Sequence, residues 1–222
     1  MRYLLILLLG SLIFSCKKYQ EETPLVYSEA TYKVTIVMNW KSPEFVVPAG
    51  AHFTTLTGMI HSKDTFLWNE NILATRGLED VAEVGNNSKM IDEMDLIIEK
   101  YKALSRFQIN APGVTGVAET TMKLSTAFPC ISFASMIAPS PDWFIGISNV
   151  TLLENNKWVN DKTVAVKLYD AGTEEGDIFG YNNAATNPLQ PVKLLTPLNA
   201  TVLSNNNSSS FPAIATIRFQ KN

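Results

Sequence analysis

The chain has few side chains that could cross-link it, and this limits how its fold can be stabilised. Its 222 residues include 2 cysteines, Cys16 and Cys130. Cys16 follows an N-terminal apolar stretch, whereas Cys130 lies in the strand-like run "FPCISFASMIA". Because a domain downstream of Cys16 has a single cysteine, it has no internal disulfide and must be held by its core or by a metal. The apolar neighbours of Cys130 indicate a buried small hydrophobic residue.

The sequence also lacks the motifs that carry common enzymatic chemistries. It contains no GxSxG, HExxH, P-loop or GxGxxG pattern. Its 2 histidines, His52 and His61, are 9 residues apart, which is not the four-residue spacing of a helical metal pair. A catalytic Cys–His pair would need Cys130 to be exposed and activated, and its apolar surroundings argue against this. We therefore expect both histidines to be structural, and the sequence gives no reason to predict an enzyme.

A strong excess of positive charge is absent as well. The formal net charge is −3, and the lysines and arginines form no basic stripe. Nucleic-acid binding requires clustered positive charge to neutralise phosphates, so nucleic acid is not an expected partner.

The most apolar run of the sequence lies at the N-terminus and predicts export. Arg2 supplies a positive charge, and "YLLILLLGSLIF" is an apolar segment too short for a membrane span. This layout predicts a secretory signal. The following "IFSC" resembles the lipobox of bacterial lipoproteins, in which the signal is removed and the cysteine is lipidated, although Phe14 is bulkier than usual. The alternative is an ordinary signal peptide that happens to contain Cys16.

These patterns predict three segments. Residues 1–15 form a lipoprotein signal peptide, residues 16–30 a flexible polar tether, and residues 31–222 a single β-domain with a sizeable core. The predicted location is the cell envelope, where lipid on Cys16 anchors the chain to a bacterial membrane, assigned to the outer membrane on its periplasmic or surface side.

Strand patterns dominate the predicted domain. "TYKVTIVMNW" alternates, "PCISFASMIA" is apolar throughout, and "PAIATIRFQKN" alternates again near the C-terminus. The segments "WFIGISNVTLLE" and "DKTVAVKLY" flank a turn-rich "NNKW", which predicts a hairpin.

Helix patterns are confined to the middle of the chain. "GLEDVAEVG" predicts a short helix ending at Gly85, and a second helix is expected over 88–103, with Ser88 as its cap. In the second helix an apolar stripe includes Met90, Met94, Ile97, Ile98 and Tyr101. The predicted fold class is all-β, a β-sandwich with a short helical insertion.

One loop crowds acidic side chains onto a backbone softened by glycine. The stretch "KLYDAGTEEGDIFGYNN" places Asp170, Glu174, Glu175 and Asp177 close together in sequence. Like charges this close repel one another unless water or a cation lies among them. If the flanking strands form the predicted hairpin, Asp142 of "SPDWF" lies at the same end as Asp170. Asp142, Asp170 and Glu174 are therefore candidate ligands for Ca²⁺, which prefers hard oxygen donors.

Three other interpretations of these residues stay open. Asp142 could cap a turn while 170–177 forms a solvated acidic loop. The ion could act as a Lewis acid in a metal-dependent hydrolase of an envelope substrate, although no general base or activated nucleophile accompanies the acids. Calcium-dependent phospholipid binding would need exposed loop tips such as Trp143 and Phe144, which are instead expected to begin a buried strand.

The same residues resemble a known family. "SMIAPSPDWFIGISNVTLLENNKWV" and the downstream "LYDAGTEEGD" resemble the core signature of the spondin N-terminal domain, the F-spondin/mindin module. The upstream "HFTTLTGMIHSKDTFLWNENILATRGLEDVAEVGNNSKM" is similar to a family pattern that contains a short "LAE.G"-like helix. The resemblance covers about Tyr32 to residue 180, and its densest part is 134–176.

The resemblance implies a C2-like antiparallel β-sandwich with Ca²⁺ bound in its edge loops. Residue by residue, it assigns Asp142, Asp170 and Glu174 as metal ligands. The family usually has Asp at the last position, so Glu174 departs from the pattern, although its longer side chain can still bring a carboxylate to the ion. In animals the module occurs in secreted matrix and adhesion proteins. The expected function is thus a membrane-anchored, extracytoplasmic calcium-binding module for adhesion or for binding an unknown protein or glycan.

Overall fold

The computed structural model describes residues 26–204 and 210–222. The predicted signal peptide, the predicted lipidation site Cys16 and the predicted tether up to residue 25 lie outside the described residues, as does most of the Asn/Ser-rich loop 204–210. The first strand begins at Glu29, two residues before the predicted domain start. Among the described residues, no helix is long and apolar enough to cross a membrane.

The secondary structure is mainly strand, in the order expected from the sequence patterns. The strands are β1 (Glu29–Asn39), β2 (His52–Phe53), β3 (Leu56–His61), β4 (Ala103–Ile109), β5 (Thr115–Ser125), β6 (Cys130–Ala138), β7 (Trp143–Thr151), β8 (Leu153–Glu154), β9 (Lys157–Trp158), β10 (Asp161–Asp170), β11 (Lys193–Leu194) and β12 (Ala215–Lys221). Two α-helices, α1 (Arg76–Val84) and α2 (Ser88–Glu99), lie between β3 and β4. A short 3-10 turn follows at Thr201–Leu203.

Antiparallel pairing joins ten of these strands into one strongly curved sheet. The order along the main path is β4-β3-β6-β7-β10-β12-β1-β5, with β2 beside β6 and β11 beside β10. The two ends of the path, β4 and β5, contact each other, so the sheet nearly closes. The predicted all-β sandwich with a helical insertion is therefore confirmed. The C-terminal β12 lies between β10 and β1 and so links the two halves of the path.

Burial on both faces explains why β6 reads as one continuous apolar run. Every residue of β6 is buried. On one face Ile131, Phe133 and Ile137 join the main core inside the curved sheet. On the other face Ala134 joins a second core formed with the helices. A half-exposed strand such as β1 alternates instead, because only one of its faces is covered.

The helical insertion covers the outer face of β3, β6 and β7. Thr75 caps α1 by accepting a hydrogen bond from the amide of Leu78, and Gly85 ends the helix at φ +66°. The second helix differs from its prediction. Asn87 is its N-terminal flanking residue, with no side-chain cap, so Ser88 is not the cap. The helix ends at Glu99, which leaves Tyr101 outside the stripe at φ +55° and 87% exposed.

The hairpin of β7 and β10 is confirmed and sets the position of the candidate site. Its register pairs Lys167 with Gly146 and Asp170 with Trp143. The predicted turn "NNKW" is more elaborate than expected, because β8 and β9 form a small hairpin of their own. Asn155 and Asn156 make its turn with φ +49° and +60°, the left-handed region that asparagine tolerates best after glycine.

Candidate functional site

The site is built where β7 begins and β10 ends. Asp142 precedes the first residue of β7, and Asp170 is the last residue of β10. The two strand ends are tied together, because the amide of Ala171 donates a hydrogen bond of 3.1 Å to the carbonyl oxygen of Asp142. The predicted convergence of these two aspartates at one end of the hairpin therefore follows from its register.

The Asp142 carboxylate is fully buried, and its two oxygens have different surroundings. Oδ2 accepts three hydrogen bonds: from the Thr173 amide at 2.7 Å, the Glu174 amide at 3.1 Å and the Thr173 hydroxyl at 3.3 Å. Oδ1 is buried and has no hydrogen-bond partner among the described residues. A buried carboxylate oxygen without a partner carries a substantial desolvation penalty. Oδ2 thus organises the loop by accepting hydrogen bonds, whereas no hydrogen bond from the described residues compensates for the desolvation of Oδ1.

These surroundings raise the pKa of the Asp142 carboxyl group. Burial raises its pKa from 3.8 to about 6, and the negative charge of Asp170 adds to the shift. The hydrogen bonds from Thr173 and Glu174 oppose the shift because they stabilise the ionised form. Burial is the larger effect. Near neutral pH the protein therefore holds a destabilised buried anion beside a second carboxylate.

Asp170 is nearly buried and binds both backbone and a counter-ion. Its Oδ1 accepts a hydrogen bond of 2.8 Å from the Gly172 amide. Its Oδ2 lies 3.3 Å from the ammonium of Lys193. Gly172 has φ +75°, and a Cβ there would lie 2.1 Å from the carbonyl oxygen of Gln190, so only glycine fits the turn.

Glu174 contributes its backbone to the site more directly than its side chain. Its amide donates to Asp142, whereas its Oε2 accepts a contact of 3.5 Å from the side-chain amide of Asn183. Burial raises the pKa of Glu174, and the negative charge of Glu83 on α1 raises it further. The Glu174 carboxylate is therefore directed toward Asn183 and Glu83 rather than placed beside Asp142.

The structure brings together two of the three predicted ligands as a pair. Asp142 and Asp170 interact electrostatically, but within residues 26–204 and 210–222 no group of three acidic, histidine or cysteine side chains is assembled as a metal site. Asp170 and Glu174 do share the lining of a polar cavity of about 350 Å³. Its other lining residues are Gly172, Glu175, Gly176, Asp177, Thr186, Gln190, Lys193 and Asn199.

The donor atoms at the site are of a chemical type that suits a hard divalent cation. The unpartnered Asp142 Oδ1, the Asp170 carboxylate and the carboxyl-rich cavity are oxygen donors of the kind that Ca²⁺ prefers. Among the described residues, however, they do not form an assembled group of three acidic, histidine or cysteine ligands. Glu174 would complete the set only with a rotation of its side chain away from Asn183.

Three neighbours of the site were not predicted. Thr173 donates to Asp142, and its hydroxyl also interacts with the carboxylate of Glu83. Lys193 reaches Asp170 from β11, a strand of two residues that is too short for a periodicity signal. Glu83 could have been identified from the sequence segment "VAEVG", because it is the glutamate of the helix pattern that resembles the family.

The two histidines and Cys130 have different surroundings. His61 is fully buried; its Nδ1 lies 2.8 Å from the Ser62 carbonyl oxygen and its Nε2 lies 2.8 Å from the Ser132 hydroxyl. His52 is exposed and contacts the carbonyl oxygen of Gly50 at 2.9 Å. Cys130 is buried, and burial raises the pKa of its thiol, which disfavours a reactive thiolate.

The loop tips considered for phospholipid contact are not available. Trp143 and Phe144 are 1% and 0% exposed and begin β7, as the sequence predicted. Phe144 packs in the second core against Trp68 and Tyr169. Trp143 and Phe144 therefore do not serve as exposed aromatic anchors for a membrane.

The fold and the site define a class of all-β modules, in which an antiparallel β-sandwich carries a helical insertion and an acidic hairpin end. A family model described as Spondin_N matches residues 30–215. The chain therefore belongs to the Spondin_N family, which confirms the resemblance found in the sequence.

Curated relatives agree with this membership. The chain is 29% identical to Spondin-2 of Rattus norvegicus over 202 residues, which are 86% of this chain and 61% of the rat protein. It is also 29% identical to Spondin-2 of Homo sapiens, over 75% of this chain and 53% of that protein. The match to Spondin-1 of Gallus gallus, again at 29% identity, covers 76% of this chain and 22% of that protein. The chain thus spans less than two thirds of the length of each of these relatives. Membership of the family supports an extracellular module.

Proposed function

We propose that the chain is an extracytoplasmic calcium-binding module that serves in adhesion or ligand binding. The observation that carries the proposal is the Asp142 carboxylate. It is fully buried, one of its oxygens has no hydrogen-bond partner, and Asp170 places a second negative charge beside it. A divalent cation would neutralise both charges and supply the missing partner of Oδ1.

Asp142 and Asp170 would hold the ion, and Glu174 would supply a third carboxylate. Calcium takes six to eight oxygen ligands in a tolerant geometry, so backbone carbonyls and water would complete its shell. The Asp142 Oδ2 atom already holds the amides of Thr173 and Glu174, which leaves Oδ1 for the ion. Calcium would thereby stabilise the loop 170–177 as one recognition surface.

Binding rather than catalysis is proposed because the residues that line the acidic cavity include no histidine, cysteine or serine that could serve as a base or nucleophile. His61 and Cys130 are buried and belong to other parts of the fold. The relatives support a non-enzymatic module only through family membership. The proposed partners are the calcium ion and an unknown protein or glycan, with no nucleic acid.

We also propose that lipid on Cys16 holds the module at a bacterial membrane in the cell envelope. The support is the sequence pattern "IFSC" after an apolar segment and the family's extracellular character. Replacing Cys16 by serine is expected to abolish incorporation of radiolabelled palmitate and to move the chain from the membrane to the soluble fraction. Unchanged labelling would exclude lipidation at this residue.

Calorimetric titration with Ca²⁺ tests the metal proposal. The full-length wild-type protein is expected to bind saturably, with a Kd on the order of 10⁻⁴–10⁻³ M, the range of extracellular modules. Asp170→Ala is expected to lose the heat and the accompanying rise in melting temperature. Asp161→Ala is the matched control, because Asp161 lies at the opposite end of β10 and pairs with Arg218. Absence of heat and of a thermal shift for the wild type at about 10 mM Ca²⁺, well above that range, would overturn the proposal.

A further inference from the structure

The acidic site contains a built-in positive charge. The Lys193 ammonium lies 3.3 Å from Oδ2 of Asp170, the oxygen that the Gly172 amide does not bind. The lysine side chain is 53% exposed, whereas the Asp170 side chain is 12% exposed. Lys193 therefore reaches a nearly buried carboxylate from the solvent side.

The backbone holds Lys193 opposite Asp170. In the β10–β11 pair, Asp170 is directly opposite Lys193 and Tyr169 is opposite Leu194. The preceding residue, Val192, is 1% exposed and exchanges backbone hydrogen bonds with Asn71 and Ile72. The start of the lysine side chain is thus well positioned, while its flexible, half-exposed end can move away from Asp170.

Lys193 is also the single cationic residue that lines the acidic cavity among the described residues. The cavity brings together four acidic residues, Asp170, Glu174, Glu175 and Asp177, around this one ammonium. Since like charges repel and opposite charges attract across such distances, the ammonium stabilises these acids when no other cation is present. The same ammonium repels any divalent cation that approaches Asp170.

We propose that Lys193 is a tethered counter-ion that occupies the Asp170 side of the site and must release this carboxylate for calcium to bind. The inference rests on the proposed calcium function and adds a residue that sets its affinity. In the calcium-free protein the lysine partly neutralises the aspartate pair. When calcium binds, the ammonium turns to solvent, so calcium affinity reflects the loss of one ion pair and the repulsion from a nearby positive charge.

The consequence is that removing the lysine charge strengthens calcium binding while weakening the calcium-free protein. For Lys193→Met we expect the Kd for Ca²⁺ to fall about tenfold, which corresponds to about 1.4 kcal/mol. In EDTA the same variant is expected to melt at a lower temperature than the wild type, because Asp170 has lost its counter-ion. A residue that acted only as a structural partner would lower stability without tightening calcium binding.

The experiment is a calcium titration by calorimetry on full-length wild type, Lys193→Met, Lys193→Arg and Lys221→Met, with thermal melts of each in EDTA. Lys193→Arg keeps the charge and should retain the wild-type Kd. Lys221→Met removes an equal charge near the opposite end of β10, where Gln220 pairs with Asp161, and should also bind like the wild type.

The outcomes separate this inference from the proposed function. A tighter Kd in Lys193→Met alone, with a lower melting temperature in EDTA, supports the tethered counter-ion. Saturable wild-type binding with an unchanged or weaker Kd in Lys193→Met overturns the inference and leaves the calcium function standing. Absence of binding in both proteins refutes the calcium function and this inference with it. If Lys193→Met does not fold, Lys193→Gln provides the neutral variant for the same comparison.

Discussion

The replacement Asp142→Asn separates the two oxygens of the buried carboxylate. The asparagine carbonyl oxygen can still accept hydrogen bonds from the amides of Thr173 and Glu174, which now reach Oδ2. Its NH₂ group would take the place of Oδ1, the oxygen that has no partner, beside the charge of Asp170. We therefore expect this variant to stabilise the calcium-free protein and to abolish calcium binding at the site.

The expected magnitude follows from the raised pKa of Asp142. A shift from 3.8 to about 6 means that the native state disfavours the ionised form by roughly 3 kcal/mol relative to the unfolded chain. Asparagine removes the charge but forms weaker hydrogen bonds to the two amides, which costs about 1 kcal/mol. In EDTA at pH 7 the free energy of unfolding of Asp142→Asn should therefore exceed that of the wild type by about 1–3 kcal/mol.

The pH dependence has a definite sign. Because the folded-state pKa of Asp142 is raised, the native state holds this proton more tightly than the unfolded chain does between pH 3.8 and about 6. The contribution of Asp142 to wild-type stability therefore falls as pH rises through this window and is constant above it. The stability difference between Asp142→Asn and the wild type should be smallest below pH 4 and largest above pH 6.

The assay is urea unfolding in EDTA, followed by circular dichroism, from pH 4 to pH 8. A second set in saturating Ca²⁺ should reverse the order of stability, since only the wild type gains from the ion. The reasoning is refuted if Asp142→Asn is less stable than the wild type at pH 7 in EDTA, or if their difference does not change with pH.

Three further perturbations test other parts of the structure. Gly172→Ala should lower the free energy of unfolding by about 2–4 kcal/mol, because its Cβ would meet the Gln190 carbonyl oxygen and φ is positive there. The control is Gly50→Ala, where φ is also positive but no atom lies close to the new Cβ. Equal losses of stability for the two variants in urea titrations would contradict the clash. Burial lowers the pKa of His61, so its contribution to stability is present above pH 6.5 and is lost as pH falls below it. The stability of the wild type relative to His61→Gln should therefore be lower at pH 5.5 than at pH 7.5, and an equal difference at the two pH values in melts would contradict this role. Glu83→Gln should leave the calcium-free protein as stable or more stable by up to about 1 kcal/mol, because it removes repulsion from Glu174; a clear loss in the same melts would show that the charge is stabilising.

The strands could be predicted because their burial leaves a clear sequence pattern. β1 alternates with Tyr32, Val34 and Ile36 buried, and β6 is apolar throughout because both of its faces are covered. The order of these strands in the sheet had no such signal. The place of β12 between β10 and β1 depends on contacts between residues far apart in the sequence.

The errors in the second helix have local causes. Ser88 is a good capping residue by type, but the chain enters the helix through Asn87, whose backbone is already in the right-handed helical region. Tyr101 continues the apolar spacing, yet its left-handed backbone lies beyond the helix end and turns it to solvent. A periodic pattern indicates which face is apolar but does not identify the residue at which the backbone leaves the helix.

The candidate site was predictable to the extent that it depends on one hairpin. Asp142 and Asp170 could be placed together because the register of two adjacent strands follows from their lengths and turn. The direction of the Glu174 side chain could not be predicted, since it depends on Asn183 and on Glu83 from the helical insertion. The contact of Lys193 with Asp170 could not be predicted either, because Lys193 lies in β11, a strand of only two residues outside the hairpin.

A crystal structure of the protein grown with Ca²⁺, with anomalous scattering measured at a wavelength sensitive to calcium, tests the central claim most directly. The account predicts an anomalous peak about 2.3–2.6 Å from Oδ1 of Asp142 and from a carboxylate oxygen of Asp170, with the Lys193 ammonium withdrawn. A peak elsewhere in the protein, or its absence at these carboxylates at about 10 mM Ca²⁺, would contradict it.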